Sequence, residues 1–170
     1  LLNRLAPLGA TMQSVRAAVY SRGTMSATAR SQPTRRADYR AFVPISTRWS
    51  DNDVYGHMNN AAYYTFFDTA VTTWLLSQGL SAKPGASLLF VAETGCRYLS
   101  ELGYPDQVTV GLRIPHLGTS SIRYDIALFR NDEDRAAAEG LFVHVHVDAA
   151  TRRPTPLPAE LRATLERIAA

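Results

Sequence analysis

The chain has 170 residues, of which 46% are hydrophobic and 19% are charged, and this length and composition are typical of one globular domain. Its net charge of +3 comes from residues 1–37, which hold six of the 18 basic residues and none of the 15 acidic ones. The remainder has a net charge of −3, which argues against a nucleic-acid-binding surface there. No stretch of the sequence approaches the ~18 consecutive apolar residues of a membrane span.

Residues 1–37 are rich in Arg, Ala and Ser, and we predict that they form a poorly ordered extension. The absence of acids is typical of a mitochondrial transit peptide, but it also fits an upstream extension of a GC-rich bacterial gene. The single cysteine, Cys96, cannot form an intrachain disulfide, which indicates a reducing compartment. We therefore expect one domain over residues 38–170, in the cytoplasm, or in the mitochondrial matrix if the extension is a transit peptide.

The first predicted elements are a strand and a long helix. Alternation over residues 42–49 predicts a strand with four side chains on one face: Val43, Ile45, Thr47 and Trp49. A helix is predicted from Ala61 to Leu80, with an apolar stripe at helical spacing: Tyr63, Phe66, Phe67, Ala70, Val71 and Trp74. Asn59 or Asn60 suits its N-cap, and Gly79 suits the position beyond its end.

Period-two patterning then predicts four long strands over residues 87–100, 108–114, 122–128 and 141–147, followed by a short helix over 159–169. The strands are joined by short, turn-like links, which imply antiparallel neighbours. One long helix against one antiparallel sheet is an α+β plan. The second face and the edges of such a sheet need cover, so we expect a dimer or larger assembly.

A polar segment, residues 48–60, joins the first strand to the long helix and carries the candidate chemistry. Asp53 and His57 precede the helix start, where free N–H groups and a partial positive charge suit a developing oxyanion. Asp53 is a candidate general base or nucleophile, although an Asp before a helix also forms Asx-turns. Asp51 is interpreted as a solvated turn residue.

The run from Asp51 to Tyr63 resembles the signature of the 4-hydroxybenzoyl-CoA thioesterase family of hotdog-fold proteins. The run from Tyr98 to Val110 is similar to that family's second and third strands, and the segment from Ala138 to Pro158 is similar to its last strand and exit. The resemblance covers roughly residues 40–165. It implies a sheet wrapped around one central helix.

The resemblance also implies hydrolysis of acyl-CoA thioesters by dimers that pair further into tetramers, with active sites at the dimer interface. The family's catalytic carboxylate corresponds to Asp53, and its carbonyl-polarising backbone N–H corresponds to about Asn60. Plant-type acyl-carrier thioesterases look similar here, with an Asp, an Asn two positions later and a His. This chain matches Asp53 and His57 but has Tyr55 at the Asn position.

The remaining candidates would position or bind the substrate. His57 would orient Asp53, contact the substrate or close a loop hydrogen bond. Substrate contacts are predicted for Tyr55, Gly56, Asn59, Tyr63 and Glu93. Asn59 is also interpreted as a helix cap, and Tyr63 as a core residue. Glu93 lies inside an apolar strand, so we expect it to face the site or an interface and to supply a supplementary acid or base. Strand arginines are available for the phosphates of CoA: Arg97, Arg113, Arg123 and Arg130.

No metal or cofactor is expected, because the mechanism needs only a carboxylate and an oxyanion donor. His144 and His146 form an H-x-H pattern, but no third metal ligand is near in sequence, and strand histidines at an interface are commoner. Two alternatives stay open: a hotdog module that binds acyl-CoA without hydrolysing it, and a hydratase or dehydratase of the same fold, whose different Asp/His placement the sequence lacks.

Overall fold

The computed structural model describes residues 32–80 and 87–169. Most of the predicted extension lies outside the described residues, but its last part contacts the link between the fourth and fifth strands. The N–H of Arg36 donates to the carbonyl oxygen of Asp134 at 3.1 Å, and the N–H of Ala136 donates to that of Thr34 at 2.9 Å. None of the helices in the described part of the chain is both long and apolar enough to cross a membrane.

Five antiparallel strands form one sheet, and two helices accompany it. The strands are β1 (Ala41–Ser46), β2 (Ser87–Tyr98), β3 (Gln107–Leu117), β4 (Ser121–Arg130) and β5 (Ala138–Asp148), and the helices are α1 (Asn60–Ser77) and α2 (Ala159–Glu166). Their order across the sheet is β1-β3-β4-β5-β2. The predicted α+β plan, a sheet wrapped around one long helix in the manner of a hotdog fold, is confirmed.

The core lies between α1 and the concave face of the sheet. All six side chains of the predicted helix stripe are buried, and Phe67, Ala70 and Val71 are fully so. A Cβ built on Gly140 would lie 2.5 Å from Cζ of Phe67, so the ring packs directly on the backbone of β5. Helical spacing in the sequence therefore identified the face that meets the sheet.

Two predicted details are wrong. β2 and β3 follow each other in the chain but are not neighbours, because residues 99–106 cross the strand ends and leave β2 paired with β5. The first strand ends at Ser46 rather than at Trp49, which lies in a short 3-10 turn, Trp49–Asp51, and is 77% exposed. The helices are also slightly shorter than predicted, and Gly79, with φ of +81°, follows the end of α1.

Candidate active site

The segment between β1 and α1, here called the motif loop (residues 47–59), is built around a buried threonine and a buried aspartate. The Thr47 hydroxyl donates to the carbonyl oxygen of Asp106 at 2.6 Å. The Asp51 carboxylate accepts the N–H of Arg48 at 2.7 Å and pairs with its guanidinium at 2.8 Å. The prediction that Asp51 is solvated is wrong: it is 5% exposed, and these bonds turn the chain out of β1.

The motif loop is tied to the crossover between β2 and β3, residues 99–106. The N–H of Met58 donates to the carbonyl oxygen of Leu102 at 2.7 Å. Oδ1 of Asn52 accepts the N–H of Tyr104 at 2.9 Å. The loop is therefore fixed against the end of the sheet, at the point where α1 begins.

Asp53 is half-buried and its carboxylate is held by the backbone of its own loop. Its Oδ1 accepts the N–H of Tyr55 at 2.8 Å and that of His57 at 3.3 Å, and its own N–H donates to the carbonyl oxygen of His57 at 2.8 Å. This is an Asx-turn. No donor in the described part of the chain reaches Oδ2, so Oδ2 is the oxygen that a water molecule or a substrate would meet.

The imidazole of His57 is directed to an acid that the sequence analysis did not single out. Its Nε2 lies 3.5 Å from Oε2 of Glu101, and the two side chains are 39% and 34% exposed. Contact between His57 and Asp53 is made by backbone atoms of the histidine. Glu101 lies within the crossover, and the only signal for it was its place in the family-like run from residue 98 to 110.

The N-terminus of α1 follows the loop directly. Asn59 is the N-cap, and its side-chain oxygen accepts the N–H of Ala61 at 2.9 Å. The predicted choice of Asn59 or Asn60 as cap is thus resolved in favour of Asn59. Asn60 is the first helical residue and is exposed, so its N–H is one of the helix-start donors that have no partner within the helix.

The tip of the motif loop is exposed and contains a glycine in a left-handed conformation. Gly56 has φ of +81°, and a Cβ added there would meet nothing within 4 Å. The glycine is therefore required by the backbone angle rather than by a lack of space. Tyr55 is 75% exposed beside Val54, which is 93% exposed, so both lie where a bound molecule could be contacted.

Tyr63 lies one turn into α1, beneath the loop, and is 4% exposed. Its ring packs edge-on against that of Tyr98, with centroids 4.8 Å apart. Burial raises the pKa of Tyr63, and smaller contributions come from Cys96, Tyr98 and the carboxylates of Asp53 and Glu101. Tyr63 is thus a core residue within electrostatic reach of the motif loop.

Glu93 is exposed on β2 in the protomer, next to a register shift between Val91 and Glu93, and its expected place at an interface stays a prediction. β2 is an edge strand, and its residues 90–94 are all exposed in the protomer. Tyr98, the last residue of β2, packs against Tyr63 near the start of α1. Glu93 lies five residues before Tyr98, or about 17 Å away along the strand. The fold of one protomer does not bring Glu93 to Asp53.

His144 and His146 do not lie on an outer face. They are 6% and 4% exposed and point, like Phe142, to the α1 side of the sheet. Within residues 32–80 and 87–169 there is no group of three His, Cys, Asp or Glu side chains that could hold a metal ion.

The strand arginines considered for CoA phosphates are all engaged in ion pairs. The pairs are Arg97 with Glu139 at 2.7 Å, Arg113 with Asp125 at 3.0 Å, Arg123 with Asp125 at 3.7 Å and Arg130 with Glu133 at 2.6 Å. Binding a phosphate with any of them would compete with an existing carboxylate.

The chain is similar to a known protein family and to several solved structures. A family model described as the thioesterase-like superfamily matches residues 47–165. The PA5185 protein of Pseudomonas aeruginosa PAO1 is 43% identical, with 81% of this chain and 97% of that chain covered and a TM-score of 0.78. A thioesterase from Thermus thermophilus, complexed with coenzyme A and Zn, is 30% identical, with 77% and 92% covered and a TM-score of 0.60.

A more distant structure shares the fold. Slr0204, a 1,4-dihydroxy-2-naphthoyl-CoA thioesterase from Synechocystis, is 18% identical, with 73% of this chain and 93% of that chain covered and a TM-score of 0.69. At that identity the likeness concerns the arrangement of helix and sheet alone.

Proposed function

We propose that this chain, which belongs to the thioesterase-like superfamily, hydrolyses acyl-CoA thioesters at the motif loop, with Asp53 as the catalytic carboxylate. The observation that carries the proposal is that Oδ1 of Asp53 is fixed by two backbone N–H groups just ahead of α1. A carboxylate held in this way keeps its second oxygen in one orientation, which favours proton transfer or attack.

The reaction divides between Asp53 and the start of α1. As a general base, Oδ2 of Asp53 takes a proton from water while the water oxygen attacks the carbonyl carbon. As a nucleophile, the same oxygen attacks directly and gives a mixed anhydride, which water then hydrolyses. In both routes the carbonyl oxygen gains negative charge that the N–H of Asn60 stabilises. The C–S bond breaks and CoA leaves as a thiolate, which takes the proton held by Asp53 in the first route and a proton from water in the second.

The other motif-loop residues take supporting roles in this proposal. His57, with its imidazole on Glu101, positions the loop or hydrogen-bonds the substrate. Tyr55 and Gly56 form the exposed tip that meets the CoA moiety. Asn59 caps the helix that bears the oxyanion donor, and Tyr63 forms the floor beneath Asp53.

The assembly proposed is a homodimer or homotetramer with active sites at the dimer interface. β2 is a 12-residue edge strand, and two of its large side chains are exposed, Phe90 by 41% and Val91 by 48%. A long apolar edge of this kind is normally covered. Antiparallel pairing of two β2 strands would extend the sheet and bring Glu93 to the neighbouring protomer.

The test is free-thiol release from a panel of aryl- and alkyl-CoA thioesters by wild type, Asp53→Asn and Asp132→Asn. The amide oxygen of Asn can still accept the two loop hydrogen bonds, so Asp53→Asn removes the charge with little change to the loop. We expect at least a ~10²-fold loss for Asp53→Asn and wild-type rates for Asp132→Asn, which alters an exposed turn residue. Near wild-type turnover by Asp53→Asn would contradict the catalytic role.

A non-catalytic acyl-CoA-binding module is the second candidate. The observation that favours it is the Asx-turn, because Asp53 can have a purely structural function in that turn. It predicts saturable acyl-CoA binding without thiol release from any thioester in the panel. In that case Asp53→Asn would bind acyl-CoA as wild type does.

A further inference from the structure

The turn between β4 and β5 contains an asparagine with an unusual backbone conformation. Asn131 has φ of +50°, in the left-handed region where glycine has no steric cost and asparagine is tolerated. It is exposed and follows Arg130, the last residue of β4. Glycine would satisfy this backbone angle, so the angle alone does not account for the amide side chain.

The side chain of Asn131 uses its acceptor and its donor where the crossover joins β3. Its Oδ1 accepts the N–H of Gln107 at 2.9 Å, and its Nδ2 donates to Oδ1 of Asp106 at 3.0 Å. The backbone N–H of Asn131 also donates to the carbonyl oxygen of Gln107 at 2.7 Å. Three hydrogen bonds therefore join the β4–β5 turn to the end of the crossover.

Asp106 is the point at which this turn, the crossover and the motif loop meet. Its second carboxylate oxygen, Oδ2, accepts the N–H of Gly103 in the crossover at 3.1 Å. Its carbonyl oxygen accepts the hydroxyl of Thr47 in the motif loop at 2.6 Å. A carboxylate held at both oxygens has a fixed orientation, so Asn131 contributes to where Asp106 holds the other two segments.

One end of the crossover transmits this position to Asp53. Tyr104 follows Gly103 and donates its N–H to Oδ1 of Asn52 at 2.9 Å. Asn52 directly precedes Asp53, so a displacement of the crossover moves the backbone that carries the proposed catalytic carboxylate. A misplacement of about 1 Å in a reacting group can lower a rate by about 100-fold.

The other end of the crossover is held from the same turn. Glu101, which contacts His57 in the motif loop, accepts a hydrogen bond at its carbonyl oxygen from Nη1 of Arg130 at 3.4 Å. Arg130 and Asn131 are consecutive, so one turn supports both ends of the crossover. Their contacts are with the crossover rather than with Asp53, which makes their role one of positioning.

We propose that Asn131 is a positioning residue of the site at the motif loop: by holding Asp106 it fixes the crossover, and through the crossover it fixes the backbone around Asp53. This role rests on the proposed function. The two side-chain hydrogen bonds of Asn131 thus serve the site, since glycine would satisfy the turn itself.

The first test compares thiol release by wild type and by Asn131→Gly, which removes both side-chain hydrogen bonds and keeps the left-handed backbone accessible. We expect kcat/KM for the best thioester in the panel to fall by about tenfold, because Asp53 is held less precisely. Asp132→Asn alters an exposed neighbour in the same turn and should keep wild-type rates. Wild-type kcat/KM in Asn131→Gly would overturn the proposal.

A reciprocal exchange tests whether the contact between Asn131 and Asp106 is responsible. Asn131→Asp alone sets two carboxylates against each other, and Asp106→Asn alone loses one hydrogen bond in either orientation of the new amide, so both variants should lose activity. Asn131→Asp combined with Asp106→Asn restores a donor facing an acceptor and still allows the bonds to Gln107 and Gly103. We expect the double variant to return to within about threefold of wild type; a double variant no better than the single ones would overturn the proposal.

Amide hydrogen exchange gives a readout that does not depend on activity. We expect Asn131→Gly to speed the exchange of the amides of Gly103 and Tyr104, whereas amides that pair β4 with β5 should exchange as in wild type. A loss of global stability would instead speed exchange in the sheet as well. Unchanged exchange in the crossover, or faster exchange throughout the sheet, would overturn the proposal.

These outcomes separate the positioning role from the proposed function. Thiol release by wild type, together with normal release and normal exchange in Asn131→Gly, would overturn the positioning role alone. If wild type releases no thiol from any thioester in the panel, the proposed function fails and the role of Asn131 in hydrolysis fails with it, whatever the exchange rates are.

Discussion

Nε2 of His57 lies 3.5 Å from Oε2 of Glu101, which joins a side chain of the motif loop to the crossover between β2 and β3. Both groups are partly solvated, so the pair is expected to contribute below about 1 kcal/mol to stability. We expect the pair to act by holding His57 in place, because the backbone N–H of this histidine donates to Oδ1 of Asp53.

This relationship predicts that Glu101 and His57 act as a unit. We expect Glu101→Gln and His57→Gln each to lower kcat/KM by about tenfold, and the double variant to lose little more than either one, because residues of one network are not additive. Asp134→Asn, which breaks an exposed ion pair with Arg35, should retain wild-type turnover. Multiplicative losses in the double variant would indicate that the two side chains act independently.

The elements that periodicity identified correctly are those with one apolar face, above all α1, whose stripe from Tyr63 to Trp74 is buried as predicted. On β5 the buried face carries His144 and His146, whereas the less buried face carries Leu141, Val143 and Val145, so alternation did not indicate that His144 points inward. β2 is separated from β3 because β2 pairs with β5. That pairing joins residues far apart in the chain, so the local sequence pattern did not indicate it. Glu101 likewise meets His57 only after the crossover folds against the motif loop.

The contact between Gly140 and Phe67 predicts a large stability effect from a small substitution. A Cβ at Gly140 would meet Cζ of Phe67 at 2.5 Å, and Phe67 is fully buried. We expect Gly140→Ala to lower the free energy of unfolding by about 1–3 kcal/mol, the usual cost of overpacking. Urea unfolding of Gly95→Ala provides the control, because a Cβ there meets nothing within 4 Å; a similar loss in both variants would argue against the clash.

The exposed edge at β2 predicts the interface of the proposed dimer. We expect Phe90→Lys to shift the chain from dimer or tetramer to monomer in sedimentation equilibrium, because a charge at a strand edge opposes pairing. Phe42→Lys alters a residue that is 44% exposed on β1, the opposite edge of the sheet, and should leave the assembly unchanged. Dissociation by Phe42→Lys alone would assign the interface to β1 instead.

The buried imidazole of His144 predicts a specific loss of stability in acid. Burial lowers its pKa from 6.5 to about 4, so between these values the unfolded chain binds a proton that the folded chain does not. Stability is therefore unaffected by this group above pH 6.5 and falls as the pH drops from 6.5 to about 4, by about 1.4 kcal/mol per unit and about 3 kcal/mol in all. Below that range both states are protonated and the loss levels off.

The measurement is urea unfolding of wild type and His144→Phe at about pH 7.5, 6.5, 5.5 and 4.5, which spans the titration of the unfolded and folded states. Groups common to both proteins cancel in the difference between their free energies of unfolding, so the difference isolates His144. We expect wild type to lose stability relative to His144→Phe below pH 6.5 and the two to run parallel above it. A difference that stays constant with pH would mean that the imidazole takes up its proton in the folded state as readily as in water, which would be inconsistent with the burial of His144 beside Phe142 and Tyr124.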